Sequence, residues 1–291
     1  MSVQKPTIFK GLATAMITPF ARGEIDYTAF GTMIDRQICG GADALLVAGT
    51  TGESATLTAR EHYELIRFAA ERIAGRVPLI AGCGSNATEH ALTLVRSACD
   101  AGADALLAVT PYYNKTSEKG LVMHYHALSE NSTRPLILYN VPSRTGMSIS
   151  AELYRKLAQE KNIAAVKESS GDLALMEELC RECGESLGVY AGNDDQLLPA
   201  VRLGAEGIFS VYANLEPASL RELLRLCETG DFSTAGKKFR AILPQIRALF
   251  CEVNPIPVKY VAAMRGLCRA EYRLPLCPPS HETAKLLQSL F

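Results

Sequence analysis

The chain has 291 residues, of which 48% are hydrophobic and 21% charged, and its net charge is −1. That length allows one large domain, or one domain with an extension, around a sizeable core. Near-balanced, interspersed charge argues against nucleic acid or an anionic membrane as the main partner, and the apolar runs are strand-sized, too short to span a bilayer. Met1-Ser2-Val3-Gln4-Lys5-Pro6 contains no apolar signal core. The nine cysteines are an odd number scattered along the chain. They fit free thiols in a reducing cytosol better than a disulfide framework, so a cytoplasmic location is expected.

Residues 11–20 read as a first strand, stopped by Pro19. Asp26 caps a helix to about Gly40. Residues 42–49 form a second strand running into Thr50-Thr51-Gly52-Glu53. Thr58 with Glu61 three residues on is a capping box for a helix to about Gly75. Residues 77–82 form a third strand, and Asn86 opens a helix with Ala91, Leu94, Val95 and Ala98 on its apolar face. Residues 103–110 echo the strand at Ala42, and both follow Gly/Ala punctuation, as a repeated βα unit does. Pro111-Tyr112-Tyr113-Asn114 is a loop before a helix to about Ser132. Residues 135–140 are a strand ending at Val141-Pro142-Ser143-Arg144-Thr145-Gly146, with a helix from near Ser150. Residues 163–168 are an apolar strand ending on Lys167-Glu168. A helix from Asp172, a strand at 189–192, a helix from Asp195 and a last strand at 207–211 follow.

Eight strands, each followed by a helix, imply parallel pairing with right-handed crossovers. The spacing predicts an α/β protein, a (β/α)8 barrel over residues 1–228. An open doubly wound sheet is the structural rival, though it usually has fewer strands. Residues 231–250, 255–268 and 280–291 read as three helices, a C-terminal helical domain over 229–291.

In such barrels the active site lies at the C-terminal ends of the strands. Strand two delivers Thr50 and Thr51 there, strand four Tyr112 and Tyr113, strand five Tyr139 and Arg144, and strand six Lys167. A lysine inside an apolar strand is rare unless something requires it. Burial disfavours the charged form of an amine, and the neutral amine is a nucleophile. Hydroxyls beside it shuttle protons as a carbinolamine becomes an imine and then an enamine, while an arginine clamps a carboxylate. The bland alternatives are a snorkelling lysine or one paired with Glu168, tyrosines packing on the rim, a surface salt bridge for Arg144, and a helix cap for Thr50. Their coincidence at successive strand ends favours chemistry.

Gly49-Thr-Thr-Gly-Glu53, Pro111-Tyr-Tyr-Asn114, Tyr139-Asn-Val-Pro-Ser-Arg-Thr-Gly146 and Val166-Lys-Glu168 resemble the dihydrodipicolinate synthase family, part of the N-acetylneuraminate lyase group of class I aldolases. The resemblance covers essentially the whole chain. It implies a lyase condensing pyruvate with L-aspartate 4-semialdehyde in the diaminopimelate route to lysine. It implies that Lys167 forms the imine and Tyr139 relays protons to and from it. Thr50 bridges Tyr139 to Tyr113, which reaches in from the neighbouring subunit of a homotetramer built as a dimer of dimers. Thr51 holds the pyruvate carboxylate and Arg144 that of the aldehyde substrate, with Gly192 and Phe209 lining the pyruvate pocket. Asn193 stands where many members have aspartate.

Feedback-inhibited members bind lysine at the dimer interface. Ser54, Ala55, His62, Asn86 and Tyr112 match that site, and Ala59 replaces a frequent histidine. His90 stands where those members place a glutamate that meets the ligand's ammonium, so weak or absent inhibition by lysine is expected. Glu89 is adjacent but points elsewhere on the helix. Thr116 replaces a usual proline and loosens that loop. Cys180-Arg-Glu-Cys183 has no second pair at zinc spacing, His124 and His126 share no helix face, and Gly82-Cys-Gly84-Ser lacks the rest of a dinucleotide fingerprint. Neither an organic cofactor nor a metal is expected. Two rival functions are a lyase for sialic acid or another 2-oxo acid, and a non-catalytic barrel that binds a small acid.

Overall fold

The computed structural model describes residue 5 and residues 7–291. Eight parallel strands close on themselves. They are β1 (Gly11–Ala15), β2 (Ala44–Val47), β3 (Leu79–Gly82), β4 (Ala105–Val109), β5 (Leu136–Asn140), β6 (Ile163–Glu168), β7 (Gly188–Ala191) and β8 (Gly207–Ser210). Each pairs with its neighbour in sequence, and β8 returns to β1. This is the expected (β/α)8 barrel.

Every strand is buried on both faces, which is why the chain shows apolar runs rather than alternation. The period of two survives inside those runs. Ala13, Ala44, Leu46, Ile80, Leu107, Ile137, Ala165, Tyr190 and Phe209 point inward and form one cluster. Leu12, Leu45, Leu106, Leu138, Val166 and Ile208 point outward into the layer under the helices. Phe9 stacks on Tyr190 with ring centroids 4.3 Å apart, filling the barrel below the mouth.

The expected caps are present. The Asp26 side chain accepts from the amide of Ala29 at the start of Tyr27–Cys39. Thr58 and Glu61 form the complete capping box of Ala59–Ile73. Some boundaries differ, two of them near the barrel mouth. The first strand ends at Ala15 rather than at Pro19, because Phe20–Ala21 turns back on Glu24–Ile25 as a small hairpin whose turn, Arg22-Gly23, has positive φ. The third barrel helix starts at Thr88, not at Asn86.

After helix Pro217–Glu228 come Phe232–Ala248, Ile256–Met264 and His281–Leu290. This tail is tied to the barrel near the second strand's loop. Lys259 forms an ion pair with Glu53, and both side chains are fully buried. Arg273 donates to Glu61, to the Thr56 carbonyl and to the Gly23 carbonyl. Its guanidinium holds the Glu61 carboxyl at about 2, well below the usual carboxylate range. No helix of the described residues is long and apolar enough to cross a membrane.

Candidate active site

Strand alternation aims Lys167 into the barrel. Ala165 and Lys167 share the inward side of β6, while Val166 and Glu168 face the helices. Lys167 is 6% exposed and directly opposite Tyr139 of β5 in the sheet register. Its Nζ lies 4.4 Å from the centroid of the Tyr139 ring and 5.4 Å from that of Phe209. No carboxylate pairs with it among the described residues. Glu168, the alternative partner, lies on the opposite face. Its carboxylate accepts from Asn140 Nδ2 at 3.0 and 3.2 Å, from the Tyr154 hydroxyl at 2.9 Å and from the Ser170 amide at 2.7 Å.

Gly192, just beyond β7, makes room for the amine. A Cβ there would lie 1.8 Å from Ser169 Oγ and 3.0 Å from Lys167 Cε. Beyond the same strand, Asp194 is fully buried and accepts from the Ser210 hydroxyl and from the Val211 amide at 2.9 Å. Burial pushes its carboxyl up to about 6, opposed by those hydrogen bonds and by the charge of Lys167.

The loop after β2 is bracketed by two non-glycine residues in the left-handed region, Ala48 at φ 53° and Glu53 at φ 56°. Such strain persists only where the surroundings hold it, and it concentrates at functional sites. Here the Glu53–Lys259 pair and Asn254 hold it. Asn254 Nδ2 donates to Thr51 Oγ1 at 3.0 Å, and the backbone carbonyl of Asn254 accepts from Arg144 at 3.2 Å. A threonine oxygen that already accepts leaves its O–H free to donate, as holding a carboxylate requires. Arg144 sits in the short helix Pro142–Thr145 and is exposed, with donors left over.

Thr50, Tyr112, Tyr139 and Arg144 line one cavity of 430 Å³. Lys167, Thr51, Gly192 and Phe209 do not line it, and the amine is joined to it through the Tyr139 ring. No hydrogen bond links Thr50 to Tyr139 among the described residues. Tyr113 stands apart, 92% exposed at φ 67°.

The cavity extends outward between Ser54, Ala55, His62 and His90. Asn86 is not in its lining; its carbonyl accepts from Asn114 Nδ2 at 2.9 Å. His62 Nε2 meets the Gly82 carbonyl at 2.7 Å, so it carries the proton, and burial pushes the imidazole below its ordinary value. His90 Nδ1 meets Ser85 Oγ at 3.3 Å. The one carboxylate of the lining, Glu53, is taken up by Lys259.

Four residues escaped the sequence reading: Asn254, Lys259, Ser169 and Asp194. Lys259 carried a signal, being a lone charge in the apolar run Ile256-Pro-Val-Lys-Tyr-Val261, the same anomaly that marks Lys167. Asn254 carried none beyond an Asn-Pro turn.

A closed parallel barrel with a buried, unpaired lysine beside a tyrosine at its mouth defines a lyase of the class I aldolase type. Residues 8–291 match the model of the dihydrodipicolinate synthetase family. A 4-hydroxy-tetrahydrodipicolinate synthase of Aquifex aeolicus is 44% identical over 284 residues, 97% of each chain. The crystal structure of dihydrodipicolinate synthase from that organism superposes with a TM-score of 0.94, covering 97% of this chain and 96% of that one. Chloride-inhibited dihydrodipicolinate synthase from Acinetobacter baumannii, complexed with pyruvate, is 37% identical with a TM-score of 0.95 over 98% of each chain. The Cyanidioschyzon merolae protein with lysine bound is 35% identical, with the same TM-score and coverage. The chain belongs to the dihydrodipicolinate synthetase family.

Proposed function

We propose that this chain condenses pyruvate with L-aspartate 4-semialdehyde through a Schiff base on Lys167, the activity its relatives are named for. The observation that carries this is the placement of Lys167. It is an amine inside the barrel, over the Tyr139 ring, with no carboxylate partner among the described residues. Its nitrogen attacks the keto carbon of pyruvate, and water leaves from the carbinolamine. Tyr139 relays protons at that nitrogen, with Thr50 behind it. Thr51 donates to the pyruvate carboxylate. Loss of a methyl proton then forms the enamine, whose carbon attacks the aldehyde while Arg144 holds the aldehyde's carboxylate. The substrate's own amine displaces Lys167 and the ring closes. Gly192 and Phe209 frame the pyruvate, and the barrel over 1–228 works with the helical domain over 229–291 packed against it. A cytoplasmic place in lysine biosynthesis fits these substrates. Turnover of pyruvate with aspartate semialdehyde, set against cleavage of sialic acid, tests the substrate assignment. Faster sialic acid cleavage would overturn it.

Assembly belongs to the same proposal. A tyrosine 92% exposed suits a surface that another subunit covers. Tyr113 of one subunit then serves the neighbour's Thr50 and Tyr139 in a homotetramer. Tyr113→Phe and Lys167→Ala subunits, each inactive alone, regain activity when mixed, because one site in the hybrid dimer has both groups intact. A mixture as inactive as its parents removes the shared site.

The outer cavity at Ser54, Ala55, His62, His90 and Tyr112, with Asn86 nearby, is the candidate regulatory site. The charge of its one lining carboxylate, Glu53, is already balanced by Lys259, and His90 brings no negative charge to an ammonium group. Free lysine is therefore expected to leave the rate unchanged through the millimolar range in a steady-state assay. Strong inhibition at sub-millimolar lysine refutes this.

A further inference from the structure

The strand that carries Lys167 places a second group in the barrel mouth. Beyond the last residue of β6, the Ser169 amide still donates to the Asn140 carbonyl at 2.8 Å, so the ladder geometry continues. By alternation Ser169 faces inward, as Lys167 does. Two residues of strand advance it by roughly 6.6 Å toward the mouth. Its side chain crowds the same glycine as the lysine stem, as the 1.8 Å and 3.0 Å approaches to a Cβ at Gly192 show.

Ser169 is 7% exposed, and its Oγ has no hydrogen-bond partner among the described residues. Buried hydroxyls are nearly always paired, so an orphan beside a reactive amine points to a partner that arrives with the substrate. On the Schiff-base function proposed above, pyruvate is held at Lys167, whose stem approaches the same point at Gly192 as this hydroxyl. The aldehyde that meets the enamine is thereby brought into the neighbourhood of Ser169.

We propose that Ser169 Oγ donates a hydrogen bond to the carbonyl oxygen of the aldehyde substrate during carbon–carbon bond formation. This rests on the Schiff-base function proposed above. In that step the enamine carbon bonds to the aldehyde carbon, and the nitrogen lone pair becomes the iminium π bond. The aldehyde's π pair moves onto its oxygen. The Ser169 O–H meets the charge growing there, and a solvent-derived proton completes the new hydroxyl. A donor aimed at charge that appears only in the transition state acts on the rate of that step. It leaves the earlier pyruvate step untouched.

Ser169→Ala and Ser169→Thr separate this from a packing role. In Ser169→Ala, kcat/KM for aspartate semialdehyde falls about 100-fold. Borohydride trapping of pyruvate on Lys167 keeps its wild-type rate, and the melting temperature is unchanged. Ser169→Thr, which retains the donor, recovers most of the loss. An unchanged kcat/KM for the aldehyde in Ser169→Ala overturns the proposal, and so does slowed pyruvate trapping, which would assign the hydroxyl to the imine step. Failure of the wild-type protein to trap pyruvate is a different result, since it removes the Schiff base itself.

Discussion

Lys167→Ala is expected to lose at least about 10⁴-fold in condensation rate while keeping its fold, because it deletes the nucleophile and leaves the binding groups in place. Borohydride added to the wild-type protein with pyruvate should fix a three-carbon adduct on Lys167, read by mass spectrometry of its peptide. Lys167→Arg should be as inactive as the alanine variant, since a guanidinium stays charged and cannot act as a neutral nucleophile. The physical basis is the local isolation of the amine. Glu168 is satisfied on the far side of the strand by Asn140, Tyr154 and Ser170, so it does not hold Lys167 as an ion pair. An adduct on a different lysine, or none, would favour a barrel that only binds an acid.

Lys259→Met should lower the melting temperature by about 10 °C, because it leaves the buried Glu53 carboxylate without its counter-charge. The pair is fully buried, and the Lys259 ammonium lies 4.1 Å from the centroid of the Phe20 ring. Burial pushes the Lys259 amine below its ordinary range, against the pull of Glu53. Replacing both partners, Glu53→Gln with Lys259→Met, should recover much of the stability, since no unpaired charge remains. Activity should not recover in parallel. Glu53 closes the strained loop that presents Thr50 and Thr51, and a misplacement of about 1 Å there costs on the order of 100-fold in rate. A thermal melt of Lys259→Met that matches wild type, with full activity, contradicts this account.

The barrel was legible because its units repeat. Apolar runs of strand length alternate with helices, and Asp26 and Thr58 with Glu61 cap theirs as written in local sequence. Misplaced boundaries fell where tertiary contact overrode the local pattern, as at the hairpin from Phe20, where Arg273 of the distant tail binds the Gly23 carbonyl. At the site, Lys167, Tyr139, Thr50 and Arg144 were marked by unusual chemistry at strand ends. Asn254 was not, because its role exists only when the tail folds back on the mouth and its amide finds Thr51, 203 positions away.

Sequence alone determined which strands form and which family motifs stand at their ends, since these follow from residues within a few positions of one another. Tertiary structure alone decided that Glu53 is neutralised by Lys259, that Asn254 joins Thr51 to Arg144, and that Ser169 is left unpaired beside the amine. Those facts depend on barrel closure and on the docking of the tail. Burial and pairing are properties of the space between distant segments, and no local stretch of chain encodes them.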